Sequence, residues 1–278
     1  MIIDIHTHIF PPSVKEKRED FFGENSFRLL YSDRKSKIIT AEEIIDAMDE
    51  NGIDKSVVFG FPWKEEKNYR MNNDYVIEAV KRFPDRLIGF ACVDPFAKDA
   101  EKEVLRCVEE GLKGVGEIAF YESDITEEIT DRLKGIMEIC KEFDIPFLLH
   151  TNEPVGHRYP GKSPMSLSNL YLFIKKYPEN KIILAHWGGG LIFYLLMKKE
   201  VKEVLRNVWF DTAASPFLYS SSIYKIGIKI AGEEKILFGS DFPLISPSRY
   251  FKEMKEAGLT EDELCLIRGK NAKNLLKI

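Results

Sequence analysis

Short, nearly continuous apolar runs alternate along this chain with longer stretches whose apolar residues recur at three- and four-residue spacing. The first pattern predicts strands buried on both faces of a parallel sheet, and the second predicts amphipathic helices packed against it. The opening run Ile2–Ile9 predicts a strand. After it comes a long excursion, about 10–39, opened by Pro11-Pro12 and rich in charge and aromatic residues. Its Phe21, Phe22, Phe27, Leu29, Leu30 and Tyr31 predict a flap that packs over something, because a purely solvated loop has no use for them. Thr40 followed by Glu43 reads as a capping box, with Ile44, Ile45, Ala47 and Met48 as the helix stripe and Asn51-Gly52 as its end.

Further strands are expected at Lys55–Gly60, Arg86–Val93, Lys113–Ala119, Ile145–His150, Lys181–His186, Asn207–Thr212 and Lys235–Ser240. The intervening helices are expected at Asn72–Phe83, Ala97–Glu110, Thr126–Phe143, Met165–Tyr177, Leu191–Leu205 and Leu218–Ala231, with Phe251–Gly258 and Glu261–Leu276 closing the chain. Eight strands, each followed by helix, in about 250 residues is the arithmetic of an α/β fold of the (β/α)8 TIM-barrel type. The expectation is one barrel domain over residues 1–278, with the flap inserted at about 10–39. A doubly wound open sheet is the alternative, but no GxGxxG follows the first strand to support it.

Composition narrows the class. Hydrophobic content of 44% with 31% charged residues marks a globular chain, and a net charge of −5 gives no basic field for nucleic acid. The longest apolar run, Gly188–Met197, is about half of what spans a bilayer, so no membrane partner is expected. Cys92, Cys107, Cys140 and Cys265 are scattered without a CxxC pair, and Met1 leads straight into a strand rather than a secretory leader. Both point to a cytoplasmic protein with free thiols. Glutamine is absent while lysine and glutamate abound, which leans towards a heat-adapted source.

The candidate chemistry lies at the strand ends. In a β/α barrel the reacting groups gather at the C-terminal mouth. Strict alternation along Ile3-Asp4-Ile5-His6-Thr7-His8 puts Asp4, His6 and His8 on one face, opposite Ile3 and Ile5. Two imidazoles spaced this way suit one metal ion, since neutral imidazole is a borderline-soft donor. Glu117 lies in strand four, His150 ends strand five, His186 ends strand six, and strand eight runs into Asp241. One such residue alone is most simply a hydrogen-bonded core side chain or a rim ion pair. Six on five strands, all facing one mouth, are hard to explain as packing. Asp4, one layer deeper, reads as a support for the site or as structure.

These residues resemble the amidohydrolase superfamily: Asp4-Ile5-His6-Thr7-His8 on strand one, His150, His186, and Ser240-Asp241 on strand eight. Pro11-Pro12, His186-Trp187-Gly188-Gly189-Gly190 and Phe210-Asp211-Thr212 are similar to the amidohydrolase-related branch that includes aminocarboxymuconate-semialdehyde decarboxylase. Gly116-Glu117-Ile118 departs from that branch and is similar to TatD-type metal-dependent hydrolases, where a strand-four glutamate bridges two metals. The resemblance implies His6, His8 and Asp241 as ligands of a first ion. With one ion, His150 is a further ligand and His186 polarises the substrate or the water. With two, Glu117 bridges and His150 and His186 hold the second. Zinc is the first choice, with manganese or another divalent ion as the alternative, and Asp241 serves as ligand and proton shuttle in either case.

Around this set, Arg158 in the loop after strand five is a candidate clamp for a substrate carboxylate. Trp63 after strand two and Trp187 after His186 are candidate walls of an apolar pocket. The glycines 188–190 read as a place of close chain approach rather than a phosphate loop, because no lysine accompanies them. The leading expectation is a metal-dependent hydrolase in which metal-activated water attacks a small ester, amide or lactone. The alternative is a metal-dependent, non-oxidative decarboxylase of an unsaturated or aromatic acid, which Arg158 keeps open. A TatD-like nuclease is disfavoured by the acidic balance, and a metal-binding scaffold by its having no need of a proton shuttle. The expected partner is a small-molecule substrate, and the flap leaves a homodimer open.

Overall fold

The computed structural model describes all 278 residues. Its strands are β1 (Ile3–His8), β2 (Lys55–Phe59), β3 (Leu87–Gly89), β4 (Val115–Ile118), β5 (Phe147–Leu149), β6 (Ile182–Leu184), β7 (Val208–Asp211) and β8 (Ile236–Leu237). All neighbouring pairs are parallel, in the order β1-β2-β3 and β4-β5-β6-β7-β8. Two single bridges join these arcs, Ala91 to Val115 and Thr7 to Phe242, so the eight strands close into the expected barrel. The strands are shorter than the apolar runs suggest, because a run continues past the last ladder hydrogen bond into the turn that carries chemistry.

The inside of the barrel is filled by Ile3, Ile5, Val57, Phe59, Ile88, Phe90, Leu148, Ile183, Ala185 and Leu237. Ala272, Leu275 and Leu276 of the last helix, Asn271–Leu276, join that cluster and plug the N-terminal end. Asn271 fixes the plug by donating to the carbonyls of Glu233 and Ile236. The larger apolar core lies between the strands and the surrounding helices. No helix is long and apolar enough to cross a membrane.

The Thr40–Glu43 capping box is present at the head of helix Ala41–Asn51, which ends on left-handed Gly52. Elsewhere the helices differ from the periodicity. The stretch 126–143 is two helices, Glu127–Arg132 and Lys134–Glu142. The helix expected at 72–83 begins a turn and a half earlier, at Glu66, and that expected at 218–231 begins at Ile223. The stretch 191–205 is no single helix. Trp187, Gly188, Gly189 and Gly190 all have positive φ, and regular helix resumes only at Lys199–Val204. A Cβ on Gly189 would overlap the Asn152 backbone, so these glycines do mark a close chain approach.

The segment after β1 folds into short helices, Pro12–Glu16 and Asn25–Tyr31. Phe27 is its anchor, stacked on Tyr31 and packed against Phe61 and Trp63. Glu24 ties it to the rest of the barrel. Its buried carboxylate accepts from the backbone N–H groups of Lys64 and Glu65 and from Asn68, at the head of helix Glu66–Arg82.

Candidate metal centre

The strict alternation expected along β1 does not hold. Its pairing with β2 slips between Asp4 and Thr7, which inserts one extra residue. Ile5 therefore packs inside the barrel with Phe59, and the rings of His6 and His8 lie against the same Phe59. Asp4 turns away from this group. It accepts from the backbone and hydroxyl of Ser240 and from the His6 backbone N–H, which fastens β1 to the turn that carries Asp241. Burial raises its pKa to about 7 against those hydrogen bonds.

The mouth gathers all six candidates. His6 Nε2 is 3.6 Å from Glu117 Oε1 and 3.6 Å from Asp241 Oδ1, and His8 Nε2 is 3.5 Å from Asp241 Oδ1. Glu117 Oε2 lies 3.8 Å from His8, while its Oε1 lies 3.7 Å from His186 Nε2 and 3.0 Å from His150 Nδ1. His186 Nε2 and His150 Nδ1 are 3.3 Å apart. His186 and Asp241 reach inward because both adopt left-handed φ, 56° and 58°, which costs an ordinary residue about 1–3 kcal/mol.

Each imidazole is fixed from behind. His8 Nδ1 faces the Gly60 carbonyl at 3.2 Å, His186 Nδ1 the Ala213 carbonyl at 3.0 Å, and His150 Nε2 the Gly161 carbonyl at 3.0 Å. A carbonyl only accepts, so each of these nitrogens carries the proton and donates it. His6 Nδ1 likewise donates to Asp211 Oδ2 at 2.8 Å. In the neutral rings of His6, His8 and His186 the opposite nitrogen is then a lone pair facing Glu117 and Asp241, whereas His150 Nδ1 donates to Glu117 Oε1 at 3.0 Å. His6 Nε2 is buried with no hydrogen-bond partner.

That donor set fits a divalent cation. Separations of 3.5–3.8 Å are too long for good hydrogen bonds. They are close to the spacing of about 3.4 Å between two donors that share one ion at about 2.1 Å. His6, His8 and Asp241 form one ligand group, and His6, Glu117 and His186 form another. The electrostatics agree. Burial lowers the pKa of His6, yet Glu117, Asp211 and Asp241 together raise it to about 10. Burial raises Glu117 and Asp241, but the histidines around them draw Glu117 down to about 2 and Asp241 well below the carboxylate range. The carboxylates thus call for positive charge at the convergence point, and a proton and a divalent ion compete to supply it.

Asp211 is the residue that reading the sequence for site groups passed over, although it ends the apolar run of β7 much as Asp241 follows that of β8. Besides His6, its Oδ1 accepts from the backbone N–H groups of His186 and Ala213. One carboxylate thus sets the tautomer of His6 and the turn that aims His186.

Two pocket expectations are corrected. Trp63 and Trp187 are fully buried and do not line the mouth. Trp63 donates to Asn72 and packs under the flap, while positive φ swings Trp187 outward to donate to Ser215 and pack on Tyr224. A buried indole N–H needs a partner, and here the core supplies it. Arg158 stands exposed and makes no hydrogen bond or ion pair with any of the six. Tyr31 from the flap and Tyr121 from the loop after β4 flank the buried Phe61, and the Tyr121 ring lies 5.3 Å from that of His150.

The chain belongs to the amidohydrolase family, whose characteristic sequence pattern it matches over residues 3–278. It is 24% identical to gamma-resorcylate decarboxylase of Polaromonas sp., over 83% of this chain and 85% of that protein. Its fold superposes on 5-carboxyvanillate decarboxylase from Sphingomonas paucimobilis with a TM-score of 0.78 and 17% identity, covering 100% of this chain and 99% of that one. It also superposes on dihydroxybenzoic acid decarboxylase from Polaromonas sp., solved with bound manganese and the inhibitor 2-nitroresorcinol. There the TM-score is 0.71 and the identity 18%, covering 99% and 96% of the two chains. The protein is an enzyme of this family. The expectation of a hydrolase is overturned, because these relatives are decarboxylases. The two chemistries use nearly the same ligands, so strand-end residues alone could not separate them.

Proposed function

We propose that this protein is a metal-dependent, non-oxidative decarboxylase of an aromatic carboxylic acid. The observation that carries the reading is the set of four imidazoles, each tied outward through one nitrogen, that converge on Glu117 and Asp241, with the inward nitrogens of His6, His8 and His186 free to ligate. The decarboxylase chemistry of the relatives and the aromatic mouth support the reaction assigned to it.

His6, His8 and Asp241 would hold the ion, with Glu117 and His186 beside them. Manganese is the first choice, since a relative was solved with it, and zinc the second. Bound there, a divalent ion supplies Lewis acidity and neutralises the substrate's negative oxygens. Glu117 also faces His150 and His186, so a second ion on those three would make it a bridge.

The chain's own groups do the rest. Tyr121, beside the His150 ring, is placed to orient the substrate ring. Cleavage of the ring–carboxylate C–C bond leaves its electron pair on the ring carbon as CO2 departs, and that carbon then takes a proton. Asp241 is suited to deliver it, because its side chain is 15% exposed, the most open of the groups around it, and can be reprotonated from water. His186 keeps its neutral form, since burial and the neighbouring His150 both lower its pKa, so its Nε2 lone pair stays available to the ion.

The test is to reconstitute the protein with manganese and offer hydroxybenzoic acids in D2O. Release of CO2 with one deuterium at the vacated ring carbon is expected. Turnover of lactones or esters without CO2 release from any acid would overturn the reading.

A further inference from the structure

The loop between β5 and helix Leu167–Lys176 carries a buried charge that the metal centre does not use. The side chain of Lys162 is only 9% exposed. Its ammonium donates to Glu153 Oε1 at 2.7 Å and to the carbonyls of Val155 and His157. An ammonium has three N–H donors, so none is left over for a substrate. Glu153 Oε2 accepts from the Tyr159 hydroxyl at 2.8 Å, so one carboxylate gathers both Tyr159 and Lys162. The same ammonium lies over the Tyr159 ring, 5.6 Å from its centre. A buried ion pair adds little net stability, and the effect of this one lies in what it holds in place.

It holds the peptide unit between Gly161 and Lys162. The N–H of that unit donates to the Tyr159 carbonyl at 3.1 Å and closes a turn, while its carbonyl accepts from His150 Nε2 at 3.0 Å. Gly161 has a φ of 94°, and a glycine is free to turn this carbonyl elsewhere. Its direction is therefore decided by the residues around it. On one side Ser163 is fixed by Asn152, whose Oδ1 accepts from the Ser163 backbone N–H and hydroxyl. On the other side residues 154–158 are exposed, with Val155 at 71%. The Glu153 carboxylate ties that turn down between the fixed base of the loop and its open tip.

We propose that Glu153, Tyr159 and Lys162 form a latch that keeps the Gly161 carbonyl on His150, and that the three are positioning residues of the metal centre. With Nε2 engaged in this way, the ring turns Nδ1 towards Glu117 and His186, at 3.0 and 3.3 Å. That is the edge His150 offers to an ion shared with those two residues. Without the latch the ring is free to rotate, and Nδ1 leaves that position. The inference rests on the metal centre for what the positioning serves, and not on the decarboxylase reaction.

Two measurements on the full chain test it. The first is solvent exchange of the His150 ring N–H, followed by NMR in nitrogen-15-labelled, metal-free protein, with the signal assigned by its loss in His150→Asn. The second is manganese affinity by equilibrium dialysis. Lys162→Met keeps the length of the side chain and removes the ammonium. Its ring N–H should exchange at least about tenfold faster than in wild type, and its manganese affinity should fall about tenfold. Tyr159→Phe removes one hydroxyl from the latch and should shift both readouts the same way by a smaller factor, which keeps the test decisive where Lys162→Met folds poorly. A ring N–H that exchanges equally fast in wild type and in both variants would overturn the latch. So would a fall in affinity with unchanged exchange, since the loop would then act on the fold at large. Faster exchange with unchanged affinity would overturn the positioning role. Because exchange is read without metal or substrate, a protein that binds no manganese but shows protection dependent on Lys162 loses the metal reading and retains the latch. Manganese binding without that dependence separates them the other way.

Discussion

The two ends of the barrel are built from the same strands and hold opposite chemistry. At the base, Ile3, Leu237, Ala272, Leu275 and Leu276 close the interior with apolar side chains, and the buried polar side chain there, Asn271, spends its amide on two carbonyls. At the mouth, four imidazoles and three carboxylates crowd together, and His6 Nε2 is left without a partner. The base is stabilised by burial, at about 25 cal/mol per Å² of apolar surface. The mouth gives up stability, because desolvated charges cost several kcal/mol each unless they are matched. Structure and chemistry are thus separated by the length of a strand, and altering one end is expected to leave the other little changed.

The largest break comes from the mouth. His6→Ala with His8→Ala should abolish activity and strip the ion, while circular dichroism shows an intact barrel. Full metal retention by elemental analysis would defeat the central assignment. Asp241→Asn should follow, lowering turnover by about 10²–10⁴ if it hands over the proton. Its metal affinity should fall far less, and an equal fall in both would reduce Asp241 to a ligand only.

The base provides the counterpart. Leu275→Ala should destabilise the fold by about 2–5 kcal/mol, read from denaturant unfolding, and leave metal affinity unchanged. A loss of metal in that variant would show that the ends are coupled after all. Asp211→Asn tests the carboxylate behind the ligands and should cost about 10–100-fold in metal affinity. In the same titrations, wild type and Glu117→Ala give the ion count. Two ions falling to one or none makes Glu117 a bridge, and one ion retained in both makes it a neighbour.

The last test varies pH. His6 is raised to about 10 in the folded protein against an ordinary value of 6.5. Between those values the folded state holds a proton that the unfolded chain has lost, so stability falls as pH rises through that window. The fall should appear in protein stripped with a chelator and vanish on loading, when the His6 lone pair is engaged. A pH-independent stripped protein would mean that His6 stays neutral.

Much of this was readable from the residues in order. Alternating apolar runs and helical stripes pointed to a barrel ahead of an open sheet, and His6, His8, Glu117, His150, His186 and Asp241 stood out because polar residues at the ends of apolar strands have few uses beyond chemistry. Both are local statements, set by side-chain period and by the cost of burying charge. Other features depend on contacts between residues far apart in the chain, or on backbone geometry that residue type does not specify. The extra residue in β1 that turns His6 inward is set by its pairing with β2. The role of Asp211 exists only because β7 brings it 2.8 Å from a histidine on β1. Trp63 and Trp187 looked like pocket walls from their neighbours in sequence, but partners at Asn72 and Ser215 drew their N–H groups into the core. Tyr31 looked like one more apolar residue of the flap, and only folding brought its ring to 5.9 Å from that of Phe61, which follows β2. The sequence by itself determined which kinds of group are available and on which strand each sits. Tertiary structure decided which way each one faces, because orientation depends on register, turn geometry and the distant acceptor that claims the other end of each side chain.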